Sequence, residues 1–344
     1  MTPSTEPVDA PLEGASISVV VPTFNDVGRI GDALSSIVNQ TLAPGEIVVC
    51  DDLSDDGTEQ FVREFDALQG GAVTVRYVRL PSRSGVVAAR NEGIAAARGE
   101  WIATCDSDDV WATAKLERQA RFVSDWKGSE RIALLGTHGY NMNDAKRVIS
   151  PAIMGPTTED DYHALRRAGG IFYLIHSSVF FSRSDFLAVG GYTTEYGAAD
   201  DFDFFCRMAE RGVVINLSEP LVYYRKRAGS VQLARFWDQR YGVWRLAENQ
   251  RRRTAGQPLV SREDFASQLA AAPALERFRR RKRALGMYYY RSGVTHMVNG
   301  RRVRGGAELV LASLMDGARI RAGVRNAVRA RTSRRSPPLK AGTA

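Results

Sequence analysis

The sequence predicts an α/β protein: a mostly parallel sheet flanked by helices, followed by a basic helical extension. Three observations carry that expectation. Strand-like and helix-like segments alternate four times between residues 16 and 110, which is the pattern of βαβ units. The first two strands are short apolar runs, as expected of strands covered on both faces, and the third alternates. The charge also changes sign along the chain: residues 1–224 carry −13 and residues 225–344 carry +21, against +8 for the whole.

Residues 1–15 read as a loose tail. Residues 17–21 form a continuous β-branched run stopped by Pro22, a buried first strand. Residues 28–40 carry Ile30, Ala33, Leu34, Ile37 and Val38 at helical spacing. A second strand, 46–50, runs into an acidic turn over 51–57, and Thr58 opens a helix with Phe61, Val62 and Phe65 on one face. Residues 73–80 read as the third strand, 85–98 as a helix and 101–105 as the fourth strand. Beyond Asp109 a helix is expected over 114–126, a short strand over 132–136, and one or two strands within 170–182. A helix over 200–212 follows, then strands over 213–216 and 221–225. From Arg235 onward the segments are helical and Arg-rich, with an amphipathic helix over 303–315 and a disordered end over 331–344. The expected organisation is a tail (1–15), a catalytic domain (16–232, divided near 110), a helical extension (233–330) and a final tail.

The composition, 44% hydrophobic and 25% charged over 344 residues, is that of a globular chain and excludes collagen-like or wholly disordered ones. The longest apolar stretch, 171–181, contains His176, Ser177 and Ser178 and falls short of the ~20 residues of a membrane-spanning helix. Residues 1–14 have no basic region followed by an apolar one, so no signal peptide is expected. Cys50, Cys105 and Cys206 are widely spaced, without a CxxC pair. That argues against a disulfide framework or a zinc site and for a cytoplasmic location.

Polar residues gather where the predicted strands end, the rim on which open α/β sheets bind ligands. The first strand ends in Pro22-Thr23-Phe24-Asn25, the second in Asp51-Asp52, the fourth in Asp106-Ser107-Asp108-Asp109. Carboxylates this close repel unless a cation lies between them, and hard oxygen donors favour Mg²⁺ or Mn²⁺ bridging to a phosphate-bearing ligand. Turn and cap chemistry is the alternative, above all for Asp109, which could cap a helix over 112–119. No GxxxxGK[ST] and no GxGxxG follows the first strand, so neither a P-loop nor a dinucleotide site is expected. Asp200-Asp201-Phe202-Asp203 holds more carboxylates than a helix start requires. A general base for an attacking hydroxyl is the functional reading.

In their order, these residues resemble family 2 glycosyltransferases of the GT-A fold. The resemblance runs over residues 16–232 and rests on Val19-Val-Val-Pro-Thr-Phe-Asn25, Val49-Cys-Asp-Asp-Leu-Ser-Asp-Asp-Gly-Thr58 and Gly85-Val-Val-Ala-Ala-Arg-Asn-Glu-Gly93. The segment 99–109, Gly190-Gly-Tyr192, Asp200 to Arg207 and Tyr224-Arg225…Gly229-Ser230 complete it. It implies an inverting enzyme using a nucleotide-diphosphate sugar, by default a UDP-sugar, with Mn²⁺ or Mg²⁺. Pro22, Thr23, Phe24 and Asn25 would then hold the nucleotide base, and Asp52 would accept a hydrogen bond from it. Arg90 and Asn91 would lie near the diphosphate. Asp106 and Asp108 would be the metal pair, with Asp106 and Ser107 also near the donor, and Asp201 the catalytic base. Two residues depart from the family pattern: Leu53 stands where Gly is usual, and Arg227 near where a His often helps hold metal or diphosphate. His176, in an apolar segment, reads as a core histidine, with a ligand role as the alternative.

The acceptor implied is a carbohydrate, lipid-linked or small-molecule hydroxyl. The Arg-rich third, with Arg251-Arg-Arg253, Arg279-Arg-Arg-Lys-Arg283 and Arg301-Arg302, reads as a solvated face, as a peripheral contact with the inner face of a membrane, or as a site for an anionic acceptor; nucleic acid is not expected. The rival readings are a sugar nucleotidyltransferase, which would want a Gly-rich phosphate loop after the first strand, and a non-catalytic basic membrane- or polyanion-binding protein.

Overall fold

The protein is described by a computed structural model over residues 14–71, 73–227 and 231–317. Residues 1–13, Gly229-Ser230 and the expected disordered end over 331–344 lie outside the described residues. In the first strand, β1 (Ile17–Thr23), the side chains of Ile17, Val19, Val20 and Val21 are all fully buried. Such a strand needs apolar cover on two faces, and each side chain contributes about 1.5–3 kcal/mol on burial. The helix α1 (Val27–Val38) covers one face, its Ile30, Ala33, Leu34 and Ile37 sharing a cluster with Ile17, Val19 and Val21. On the other face Val20 shares a cluster with Ile94.

β2 (Glu46–Asp51), α2 (Thr58–Leu68), β3 (Thr74–Arg79), α3 (Val86–Ala96) and β4 (Trp101–Thr104) complete the first half. β2 and β4 pair with β1 on opposite sides, and β3 pairs with β2, all parallel. The order β3-β2-β1-β4 makes β1/β4 the switch point, the place where a crevice opens beyond the strand ends. α3 lies hard against the sheet. A Cβ added at Gly93 would stand 2.6 Å from Val20 Cγ1 and 3.1 Å from Cys50 Cβ.

β5 (Val110–Trp111), α4 (Lys115–Ser124), β6 (Ile132–Met142), β7 (Val148–Ala152) and α5 (Glu159–Arg167) follow. β8 (Phe180–Ser182), α6 (Arg183–Ala188), α7 (Asp200–Met208) and β9 (Val213–Arg225) close the sheet. Its order is β3-β2-β1-β4-β8-β6-β9-β5, with β7 on β6. β8 is antiparallel to β4 and to β6, while β9 runs parallel to β6. The described residues thus form a mixed sheet whose parallel half carries the crevice at the switch point.

Several expectations need correction. β6 runs on to Met142 rather than ending at 136, because its polar and glycine-bearing second half is paired on both sides, by β7 and β9. Gly139 permits that approach: its Cβ would meet Val222 O at 2.5 Å. The two strands expected over 213–216 and 221–225 are one strand, with register shifts opposite Thr137, His138 and Gly139. Within 170–182 only Phe180–Ser182 is a strand, and His176–Ser178 is a 3-10 turn. β5, β7 and α5 were not expected; they are short or strongly polar and leave little periodic signal.

α8 (Val231–Ala234), α9 (Phe236–Thr254), α10 (Arg262–Ala271), α11 (Ala274–Val298) and α12 (Arg302–Met315) form the extension. α9 packs on residues 195–199, just before α7, through Asp238, Gly242 and Arg245. Cys50, Cys105 and Cys206 are buried and unbridged. No helix among the described residues is long and apolar enough to cross a membrane. Because α3 cannot carry a methyl at Gly93 without moving off β1, Gly93→Ala should cost about 1–3 kcal/mol in urea unfolding. An unchanged midpoint would mean that α3 backs away freely.

Candidate active site

The crevice begins where β1 and β4 end. Ser107 Oγ donates to Asp26 Oδ2 at 2.7 Å and joins the two strand ends across the switch point. Pro22 and Thr23 are buried in the last turn of β1, and Phe24 is half-buried at the rim. Asn25 adopts φ +47°, which Asn tolerates better than most residues. Its side chain makes two hydrogen bonds with Asp55, at 2.8 and 2.9 Å, so it fastens the first loop to the turn after β2.

In that turn Leu53 takes φ +66°, a left-handed backbone that costs a residue with a Cβ about 1–2 kcal/mol. The departure from Gly therefore keeps the turn and stores strain in it. Asp51, fully buried, accepts hydrogen bonds from Ser54 and Tyr77 and fixes the turn from beneath. Asp52 accepts from the backbone N–H of Ser84 at 2.6 Å and of Gly85 at 2.9 Å, and Arg83 Nε lies 3.3 Å away. The Arg83 guanidinium covers the Phe24 ring at 3.1 Å. Sequence reasoning missed Arg83, since nothing in a surface loop marks an arginine that folds back over a ring.

Deeper in the crevice, α3 presents Arg90. Its Nη1 donates to Asp200 Oδ2 at 2.6 Å and its Nη2 to Asp106 Oδ1 at 3.4 Å. One guanidinium thus joins the end of β4 to the start of α7. The next residue, Asn91, holds the backbone of Tyr192 on both sides: Nδ2 donates to Tyr192 O, and Tyr192 N donates to Asn91 Oδ1, each at 2.9 Å. Asn91 therefore positions the Gly190-Gly191-Tyr192 loop. His176 stands between, with Nδ1 at 3.2 Å from Asp106 Oδ1 and Nε2 at 2.9 Å from the Tyr192 hydroxyl. It is more than a core histidine, because its ring orients the first carboxylate of the acidic pair. Burial, followed by the Arg90 charge, lowers its pKa, which favours the neutral ring.

The carboxylates are differentiated. Burial works to raise Asp106, but His176 and Arg90 outweigh it and hold the group well below the usual carboxylate range. Asp108 lies 2.9 Å from Arg227 Nε, yet burial and the Asp106 charge bring it up to about 6. Asp109 does not cap a helix. It is fully buried, accepts from Ser177 Oγ, and takes the Arg225 N–H at 2.8 Å, tying β9 to the acidic loop. Arg225, 2% exposed, adds a donor to Asp108 O at 2.6 Å and pairs with Asp32 at 3.1 Å. In α7, Asp203 is committed to Arg207 and Thr193, whereas Asp201 accepts only from the N–H of Phe202 among the contacts described. Burial and the neighbouring Asp200 push Asp201 up to about 7. Among the described residues no group of three or more His, Cys, Asp or Glu could hold a metal ion by itself. Asp106 and Asp108 offer hard oxygen donors, but other ligands would have to come from a bound diphosphate or water.

Fold and crevice define a GT-A protein. The UDP complex of TarS residues 1–349 from S. aureus has the same fold, with a TM-score of 0.52 at 18% identity over 88% of this chain and 92% of that one. The Glycosyl transferase family 2 model matches residues 18–189, half of the chain, and the chain belongs to that family. Two Escherichia coli proteins are similar to it, WfgD and WfaP, each a UDP-Glc:α-D-GlcNAc-diphosphoundecaprenol β-1,3-glucosyltransferase. WfgD is 38% identical over 103 residues, 30% of this chain and 39% of WfgD; WfaP is 26% identical over 221 residues, 64% of this chain and 81% of WfaP. The chain therefore spans less than half of WfgD.

Removing Arg90 leaves Asp200 and Asp106 facing each other without a cation. Arg90→Gln should lower stability by about 3 kcal/mol in urea unfolding, the low end for a broken buried pair because Asp106 keeps 28% of its side chain exposed. A loss under about 1 kcal/mol would show that the bridge holds little.

Proposed function

We propose that the chain is an inverting glycosyltransferase that moves a sugar from a nucleotide-diphosphate donor to a hydroxyl of a lipid-linked acceptor. The observation that supports the reading is the Arg90 bridge, which joins Asp106 to Asp200, the sequence neighbour of Asp201. The donor lies along the strand ends, its base by Phe24 and Asp52, its diphosphate toward Asp106, Asp108 and Arg227. Arg83 and the 84–85 backbone must then share Asp52 with the base or give way to it. A lipid-linked acceptor is supported by the diphosphoundecaprenol substrates named for WfgD and WfaP.

The chemistry follows from charge. A leaving nucleoside diphosphate needs its developing negative charge neutralised, and the Arg227 guanidinium stands ready beside Asp108. Asp106 and Asp108 would hold a divalent ion, Mn²⁺ or Mg²⁺, and such an ion would supply Lewis-acid neutralisation of the leaving diphosphate. Asp201 takes the proton of the attacking hydroxyl on the opposite face of the sugar, so a single displacement inverts the anomeric centre. A base with pKa about 7 is matched to neutral pH, because about half of it is ionised there and it is still strong enough to accept the proton. No covalent nucleophile is required.

Asp201→Asn keeps the shape and cannot take a proton. Turnover should fall roughly 10²–10⁴-fold while UDP binding by calorimetry persists. In the wild type, kcat should rise with pH and level off above about 7, since the base works only when ionised. Wild-type turnover in the variant would transfer the role to Asp200.

The metal assignment has its own check. UDP should bind more tightly with Mn²⁺ than in EDTA, and Asp108→Ala should abolish the difference. Equal affinities in wild type with and without the ion would contradict the assignment.

A further inference from the structure

Outside the crevice, a groove of about 500 Å³ opens between α9, α10 and the first turns of α11. Trp237, Trp244 and Leu269 line it together with Arg277, Arg280 and Arg281. Trp237 and Trp244 are seven residues apart and share one stripe of α9. Trp237 is 46% exposed, an unusual position for so large an apolar side chain. Three of the lining side chains are cationic. Arg277 Nη1 donates to Ala270 O at 2.6 Å, which fixes its stem. Arg280 pairs with Glu276 and stands 5.6 Å over the Trp244 ring. Arg281 has no acidic partner among the described residues.

The groove is tied to the crevice through α9. The adjacent face of that helix holds the chain just before α7: Ala198 N donates to Asp238 Oδ2 at 3.1 Å, and Arg245 Nη1 to Glu195 Oε1 at 2.7 Å. Trp237 neighbours Asp238, and Ala198 lies three residues before Asp201.

We propose that this groove holds the carrier end of the acceptor, a prenyl diphosphate. The diphosphate would sit on Arg277, Arg280 and Arg281, with the first isoprene units against Trp237, Trp244 and Leu269. This rests on the glycosyltransferase reading and deepens it. Charge complementarity supports the occupant, since guanidinium forks match phosphate oxygens and indole faces match an apolar chain. A sugar fits less well: the lining holds no carboxylate or amide side chain, so its hydroxyls would lose water without gaining acceptors. A bilayer surface is flat, whereas this groove is concave and takes a single chain.

The test is calorimetric titration of the full chain with farnesyl diphosphate in EDTA, with inorganic diphosphate and farnesol as comparison ligands. Farnesyl diphosphate should bind at least about tenfold more tightly than either. Trp237→Ala and Arg281→Gln should each weaken it about tenfold without changing the melting temperature. Inorganic diphosphate binding as tightly as farnesyl diphosphate would reduce the groove to an anion site and overturn the proposal. So would unchanged affinity in both variants. Flotation with phosphatidylglycerol vesicles, without farnesyl diphosphate binding, would also overturn it in favour of bulk lipid contact. UDP titration with Mn²⁺ on the same samples separates the two readings. UDP binding without farnesyl diphosphate binding sinks the groove assignment alone, while absent UDP binding sinks the glycosyltransferase reading on which it rests.

Discussion

One buried guanidinium organises this protein. Arg90 comes from α3, yet its two partners, Asp106 and Asp200, lie at the end of β4 and the start of α7. Carboxylates gathered in a recessed crevice repel one another, and without a fixed cation the cheapest response is to move apart or take up protons. Arg90 supplies that cation to both Asp106 and Asp200, and so joins the end of β4 to the start of α7 across the crevice. The close seating of α3 at Gly93 and the Asn91 clamp on Tyr192 follow from the same need, since each keeps the guanidinium from drifting. Asp201, next to the paired Asp200, has no side-chain partner among the contacts described.

Much of this was legible in the sequence. The β-branched run from Ile17 to Val21 and the apolar spacing of Ile30, Leu34 and Ile37 mark β1 and α1, because burial on both faces demands continuous apolar residues. The polar strand ends at Asp52 and Asp106 could be placed on one rim because parallel strands all end at the same edge of a sheet. The second half was less legible. β6 continues past Gly136 through small and polar residues, and only its pairing with β7 and β9 makes it a strand. Within the site, the bridge made by Arg90, the approach of His176 to Asp106 and the fold-back of Arg83 onto Phe24 join residues 16, 70 and 59 positions apart. No local pattern encodes such contacts.

The charge asymmetry along the chain has a partial structural account. Some of the arginines in the basic third pair with the acidic body, as Arg245 does with Glu195 and Arg253 with Glu210. Those contacts fasten α9 to the chain on either side of α7. The run from Arg279 to Arg283 is different: among the described residues its one ion pair is Arg280 with Glu276, on its own helix. Positive charge that the fold does not neutralise remains available to an anionic ligand.

The central claim is that Asp106 and Asp200 are coupled through Arg90, and a double-mutant cycle measures that coupling without knowledge of the acceptor. Asp106→Asn, Asp200→Asn and the double variant would be compared by urea unfolding at neutral pH. Coupling predicts that the two effects fail to add, by about 0.5–3 kcal/mol, because either carboxylate alone can still engage the guanidinium. Effects that add to within about 0.3 kcal/mol would contradict the account, for the two carboxylates would then be independent and Arg90 would not be the element that holds the site together.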